Sequence, residues 1–144
     1  MIVDRLANFF KLPNGEFVAI EKLEDLYGRI PIIQQIYVAG ISSKDSLVAL
    51  IVPDKEPLQR MMPKAYAELP WKELCKHRAT ENFLERLLEE YSDKHGLTKF
   101  ERLAKFTVLA EPFSAENGML TPTQKLQRRA IFKKYLGVIE DMYV

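Results

Sequence analysis

Lys125, Arg128 and Arg129 set three cations close together at the end of the stretch Asn117–Arg129, NGMLTPTQKLQRR. On a helix beginning near Lys125, positions i, i+3 and i+4 share one face, so the three would cluster. They would also lie near a helix N-terminus, whose free N–H groups attract anions. Such a cluster can recognise a phosphate or a carboxylate. Spacing alone is equally the mark of a solvated basic face, and that plainer reading has the better claim from spacing. The residues ahead of the lysine are more telling. Asn117-Gly118 is a turn signal, and Pro122 fixes its own φ while biasing its predecessor toward extended backbone.

Other chemistry-bearing residues offer less. His77 and His95 stand in polar surroundings far apart in the chain, without metal-ligand spacing, and read as surface histidines. Cys75 is the single cysteine, which excludes an internal disulfide framework and a Cys-based metal site. It lacks an evident activating partner and reads as a small buried or half-buried residue. Trp71, in LPWKEL, reads as a packing anchor, and the acidic LEEYSDK as the wet side of a helix. No GxxxxGK phosphate loop is present, since NGE and ENGM are turns. Neither a Ser-His-Asp set nor a carboxylate pair stands out, and no metal site is expected.

The elements that must position these residues follow from periodicity. FFKLPNGEFVAI predicts a β-hairpin, with Asn14-Gly15 at its turn, because both residues tolerate positive φ. Ile20, Leu23, Leu26 and Tyr27 recur at helical spacing, with Glu21, Glu24 and Asp25 between them, and that helix should stop before Gly28 and Pro31. IQQIYVAGI and SLVALIVP predict an antiparallel pair of strands, and FTVLAEPF a third core-type strand. DKEPLQRMM predicts a short helix, and the Pro-punctuated PKAYAELPWKELCKHRAT another. Phe83, Leu84, Leu87, Leu88 and Tyr91 make an apolar stripe on a long helix that Gly96 ends. In LQRRAIFKKYLGVIEDMY, Ile131, Phe132, Tyr135 and Leu136 fall on one side and basic residues on the other. Strands mixed with helices, in no strict βαβ alternation, give an α+β fold: an N-terminal hairpin, then a small sheet of about three strands flanked by helices.

The bulk numbers set limits. At 144 residues the chain is long enough for one domain with a real core. Its 21 Lys and Arg against 20 Asp and Glu leave a net charge of +1, which argues against a dedicated nucleic-acid protein. The longest apolar run, SLVALIVP, is strand-sized, well short of the roughly 18 residues of a membrane span. The start, MIVDRLANFF, lacks a signal-peptide pattern, and a reducing, cytoplasmic location is expected. No internal repeat, low-complexity tract or linker is present.

Three stretches taken together carry a resemblance. DRLANFFKLPNGEFVAIEKLE, LVALIVPD and EPFSAENGMLTPTQKLQRR resemble, in order and spacing, the C-terminal domain of AMP-forming long-chain fatty-acyl-CoA synthetases, within the superfamily of adenylate-forming enzymes. The resemblance covers essentially the whole chain. Its most specific parts are FKL..GE.V..EK.E and F...NG.LTPT.K, at opposite ends. It implies that the chain is the mobile lid of a long-chain fatty acid–CoA ligase, joining a fatty acid to ATP and then passing the acyl group to coenzyme A. ATP, Mg2+ and CoA would serve the whole enzyme, and none is expected to be held by this piece alone.

By motif, the family's adenylation lysine falls on Lys125, which would be catalytic. Arg5 matches an arginine that contacts the ATP ribose in relatives, and Lys11 a lysine facing the active site in the second conformation. The hinge position falls on Ala7, where relatives usually carry Asp or Lys, and Asn8 stands where Asp is common. Asn14, Gly15 and Glu16 match the turn that rotation brings beside the CoA channel. Residues 1–8 would be the hinge segment and 9–144 a single lid domain. Its partner would be an N-terminal domain holding the ATP-phosphate loop and the acyl tunnel, neither of which has a counterpart here. The isolated piece is expected to be inactive, with no nucleic-acid partner and any membrane contact made only by the missing part, at a cytosolic face. The alternative is a non-catalytic interaction module that docks its basic C-terminal helix on RNA or an acidic partner.

Overall fold

A computed structural model describes residues 9–11, 15, 17–40 and 46–143. Strands β1 (Phe9–Lys11) and β2 (Phe17–Ala19) form the expected antiparallel hairpin, with Phe9 opposite Ala19 and Lys11 opposite Phe17. Helix α1 (Ile20–Tyr27) follows β2 without a loop and ends at Gly28. Strands β3 (Ile33–Gly40) and β4 (Leu47–Pro53) pair antiparallel, as expected, in a three-stranded sheet of order β3-β4-β5.

The third strand, β5 (Leu103–Val108), starts earlier than FTVLAEPF suggests and runs parallel to β4. A parallel pair needs a crossover, and here the chain between them carries four helices. These are α2 (Lys55–Met61), α3 (Lys64–Ala67), α4 (Trp71–Lys76) and α5 (Arg78–Lys94). The Pro-punctuated stretch thus gives two short helices before α5, each entered from a proline: Pro63 before α3 and Pro70 before α4. β5 lies at one edge of the sheet, and none of its residues is fully buried, so it is half exposed rather than a core strand.

Central position explains the composition of β4. All seven of its residues are buried, so its apolar run needs no alternation. Leu47, Ala49 and Ile51 face one core with Val38, Leu23, Tyr27 and Leu88. Val48, Leu50 and Val52 face another, with Phe113, Met119, Ile131 and Ile139. A third cluster of Ile32, Leu58, Leu74 and Leu84 gathers the crossover helices, with Trp71 packed against it as an anchor. Trp71 also donates its indole N–H to Ala110 O at 3.3 Å.

The C-terminal segment is two helices, not one: α6 (Arg128–Lys134) and α7 (Leu136–Met142), separated at Tyr135. The break at Tyr135 (φ −105°, ψ 18°) re-phases the apolar stripe. Ile131 is fully buried, but Leu136 turns outward at 39% exposure while Ile139 and Met142 take its place in the core.

Candidate functional site

Lys125 does not begin a helix. It sits on a tight loop before α6, closed by a bridge between Leu120 and Leu126 and by the Gln127 N–H on Met119 O at 2.8 Å. Within the loop, Gln124 N donates to Thr121 O at 2.9 Å, closing a turn over Pro122 and Thr123. Thr121 N donates to Lys125 O at 2.7 Å, and Lys125 N donates to Thr121 Oγ1 at 3.0 Å. Thr121 and Thr123 hydroxyls are 3.0 Å apart. Gln124 takes a left-handed φ of +69°, the one such non-glycine among the described residues. Lys125 itself is exposed.

The loop stands on fixed feet. Asn117 Oδ1 accepts from Ser114 N at 3.0 Å and from Met119 N at 3.1 Å, while its Nδ2 donates to Pro112 O at 2.9 Å. Gly118 follows at φ +79°, a conformation that glycine takes without steric cost. Ahead of them, the Gln35 side chain brackets the Phe113 peptide, accepting from its N–H at 2.7 Å and donating to its carbonyl at 2.9 Å. Phe113, Met119 and Leu120 then bury their side chains in the core beside Ile131.

The predicted cluster of three cations does not form, because the helical register starts three residues later than the sequence spacing assumed. Arg128 turns inward and donates from Nη2 to Glu24 Oε1, with its guanidinium carbon 5.6 Å from the Tyr37 ring centroid. Arg129 stays exposed on α6. The basic face that the alternative reading needs is therefore smaller than the sequence implied.

Glu24 is the functional-looking residue that sequence reasoning missed. Its carboxylate is buried, and its second oxygen, Oε2, accepts from Val38 N at 2.8 Å. Burial pushes its pKa up, against the opposing pull of the Arg128 charge and of both hydrogen bonds. The signal was available: Ile20, Leu23, Glu24 and Tyr27 fall at i, i+3, i+4 and i+7, so Glu24 belongs to the buried stripe.

Of the remaining candidates, Lys11 ends β1 and Gly15 has φ +94° with open space around it, as a hairpin turn glycine should. Arg5, Ala7, Asn14 and Glu16 lie outside the described residues. His77 is more than a surface residue: its Nδ1 accepts from Ala79 N at 3.0 Å, capping α5, and its ring meets Tyr66. His95 is exposed, with its ring tilted against that of Tyr91 at 4.3 Å between centroids. Cys75 is buried, and burial pushes its thiol up to about 11. Among the described residues, no group of three or more His, Cys, Asp or Glu could hold a metal ion, and no helix is long and apolar enough to cross a membrane.

The arrangement is thus a small α+β domain that presents a lysine on a rigid, hydrogen-bonded loop. The fold of the domain is shared with a part of adenylate-forming domains. A carboxylate reductase adenylation domain from Mycobacterium chelonae superposes with a TM-score of 0.82 at 33% identity, over 96% of this chain and 20% of that one. The adenylation domain of the Segniliparus rugosus carboxylic acid reductase, solved with AMP and a carboxylic acid, gives 0.80 at 32% identity, again over 96% of this chain and 20% of that one. No family model matches the sequence.

The chain is a homologue of the long-chain acyl-CoA synthetases. It is 37% identical over 142 residues to the rat long-chain-fatty-acid–CoA ligase 5, a match spanning 99% of this chain and 21% of the relative. It is 36% identical to Arabidopsis thaliana long chain acyl-CoA synthetase 1, over 99% of this chain and 22% of the relative. The chain therefore spans about a fifth of the length of the curated relatives it matches.

Proposed function

We propose that this chain is the mobile C-terminal domain of a long-chain fatty acid–CoA ligase, with Lys125 serving the adenylation half-reaction. The observation that carries the reading is Lys125 itself, an exposed cation on a loop whose backbone is clamped on both sides by Thr121. Relatives over 99% of the chain are named as ligases of this kind.

In adenylation a fatty-acid carboxylate oxygen attacks the α-phosphorus of ATP, and the bond to pyrophosphate breaks. Negative charge is crowded at that phosphorus, so a positioned ammonium both orients the carboxylate and stabilises the transition state. Because the Lys125 backbone is already ordered, little reorganisation is needed when the substrates arrive. The domain then rotates about Ala7, and the turn at Asn14, Gly15 and Glu16 comes beside the thiol of CoA. That thiol attacks the acyl carbonyl and AMP leaves. Arg5 and Lys11 serve ATP and the adenylate, and an N-terminal domain of the same protein supplies the remaining contacts. Mg2+ would enter with ATP, and its ligands are assigned to none of the residues described.

The test is the full-length protein with and without Lys125→Ala, supplied with palmitate, ATP and CoA, following pyrophosphate and acyl-CoA together. Pyrophosphate release should fall about 100- to 1,000-fold, the range typical of removing a charge-stabilising group. Thioester formation from preformed acyl-adenylate should survive. Equal loss in both half-reactions would remove Lys125 from this role.

A further inference from the structure

We propose that Glu24 and Arg128 are positioning residues for adenylation, fixing the Lys125 loop against α1 and the sheet edge; this rests on the reading of Lys125 above. Arg128 is three residues beyond Lys125 and opens α6, so its side chain governs where the loop re-enters the fold. Its guanidinium is held from two sides, by the Glu24 carboxylate and by the Tyr37 ring. Glu24 is itself fixed, since its other oxygen accepts from Val38 N on the edge strand β3. The chain Val38–Glu24–Arg128 thus ties the sheet, α1 and the root of the loop together.

Burial makes this tie hard to loosen. Glu24 is 8% exposed, and a desolvated carboxylate is costly unless an opposite charge and hydrogen bonds satisfy it. Arg128 cannot swing away without leaving that charge alone. The other root is fixed independently by Gln35 on Phe113 and by Asn117. Between two fixed roots, the ammonium of Lys125 is the free end. A misplacement of about 1 Å in such a group can cost roughly 100-fold in rate.

A brace that merely stabilises the fold would weaken both half-reactions alike, whereas a positioning pair acts through Lys125. The experiment uses the full-length protein and single-turnover assays of adenylation and of thiolysis of preformed acyl-adenylate. Glu24→Gln keeps the shape and an acceptor for Val38 N but removes the charge. It should slow adenylation about tenfold, within the range that misplacement allows, and leave thiolysis within about twofold. In a Lys125→Ala background the same substitution should add nothing further, because groups acting as a unit are not additive. Glu24→Gln combined with Arg128→Gln leaves no buried charge unpaired, and should show the adenylation loss with a melting midpoint close to the parent. Arg128→Lys, which keeps the charge but loses the planar fork, should be intermediate.

Equal loss in both half-reactions, unchanged adenylation in the folded double variant, or a full multiplicative effect on top of Lys125→Ala would each overturn the inference. Lys125→Ala alone separates the two readings. If it leaves adenylation intact, the assignment of Lys125 falls and the pair's role with it. If it abolishes adenylation while Glu24→Gln does nothing, only the pair's role falls.

Discussion

Thr121 holds Lys125 by both polar groups of its backbone: its N–H donates to the lysine carbonyl at 2.7 Å, and its hydroxyl accepts from the lysine N–H at 3.0 Å. The side chain of Thr121 therefore does what a backbone carbonyl does in a strand ladder, inside a loop too short to have one. Thr121→Val keeps the volume and removes that acceptor. One such bond contributes about 1 kcal/mol, so adenylation should fall roughly fivefold if the loop loosens by that amount. Thr121→Ser should retain most activity. Pyrophosphate release by the two full-length variants checks this, and equal behaviour of Val and Ser would mean that the hydroxyl does not order the lysine.

Gln124 carries its own test of how the loop is built. Its φ of +69° is a conformation that costs an ordinary L-residue about 1 kcal/mol or more and a β-branched residue considerably more. Gln124→Gly should leave the melting midpoint unchanged or raise it, with the gain partly offset by the looser unfolded chain. Gln124→Val should lower it by the equivalent of about 1–2 kcal/mol. Thermal unfolding of the three proteins gives the order directly. A valine variant as stable as the parent would mean that the turn can relax to negative φ.

How far the sequence carried the reading depends on which force set each element. The β3–β4 pair, α1 and α5 were legible because their apolar spacing is set by burial, which is local in pattern. The parallel placement of β5 was not, since strand direction depends on a crossover of four helices and leaves no local mark. The loop around Lys125 was legible as a constrained segment through Asn117, Gly118 and Pro122. Its helical continuation was misread because Arg128 and Arg129 look like a solvent-facing pair. Only the buried Glu24, 104 positions away from Arg128, explains why the first of them turns inward. Charges buried by long-range pairing disguise themselves as surface residues in any reading by composition.

Thr80 gives a prediction about stability alone. It is fully buried in α5, and its hydroxyl oxygen finds no hydrogen-bond partner. An unsatisfied buried hydroxyl costs about 1–3 kcal/mol, and valine has nearly the same shape without the polar atom. Thr80→Val should therefore raise the melting midpoint, by the equivalent of about 1 kcal/mol. Thr80→Ser, which keeps the hydroxyl and opens a methyl-sized void, should lower it. The sign of the valine result is decisive: a fall would mean that the hydroxyl is satisfied in solution.

Cys75 links the core to pH. Burial pushes its thiol up to about 11, so in the folded chain it stays protonated where an unfolded cysteine has begun to ionise. Below the unfolded value of about 8.5 both states hold the proton, and this group's contribution is fully present. As pH rises from there toward about 11 the unfolded state releases its proton first, so stability is lost across that window. Cys75→Ala should flatten part of the alkaline decline between pH 9 and 11. It should do so while lowering stability at neutral pH, through the lost sulfur packing. Chevron or thermal midpoints of both proteins, taken at several pH values, measure the difference in slope. The same burial makes native Cys75 slow to alkylate at pH 8, because the thiolate is the nucleophile. Rapid labelling of the folded protein at that pH, or identical slopes for parent and alanine variant, would show that the thiol reaches solvent far more often than its 3% exposure implies.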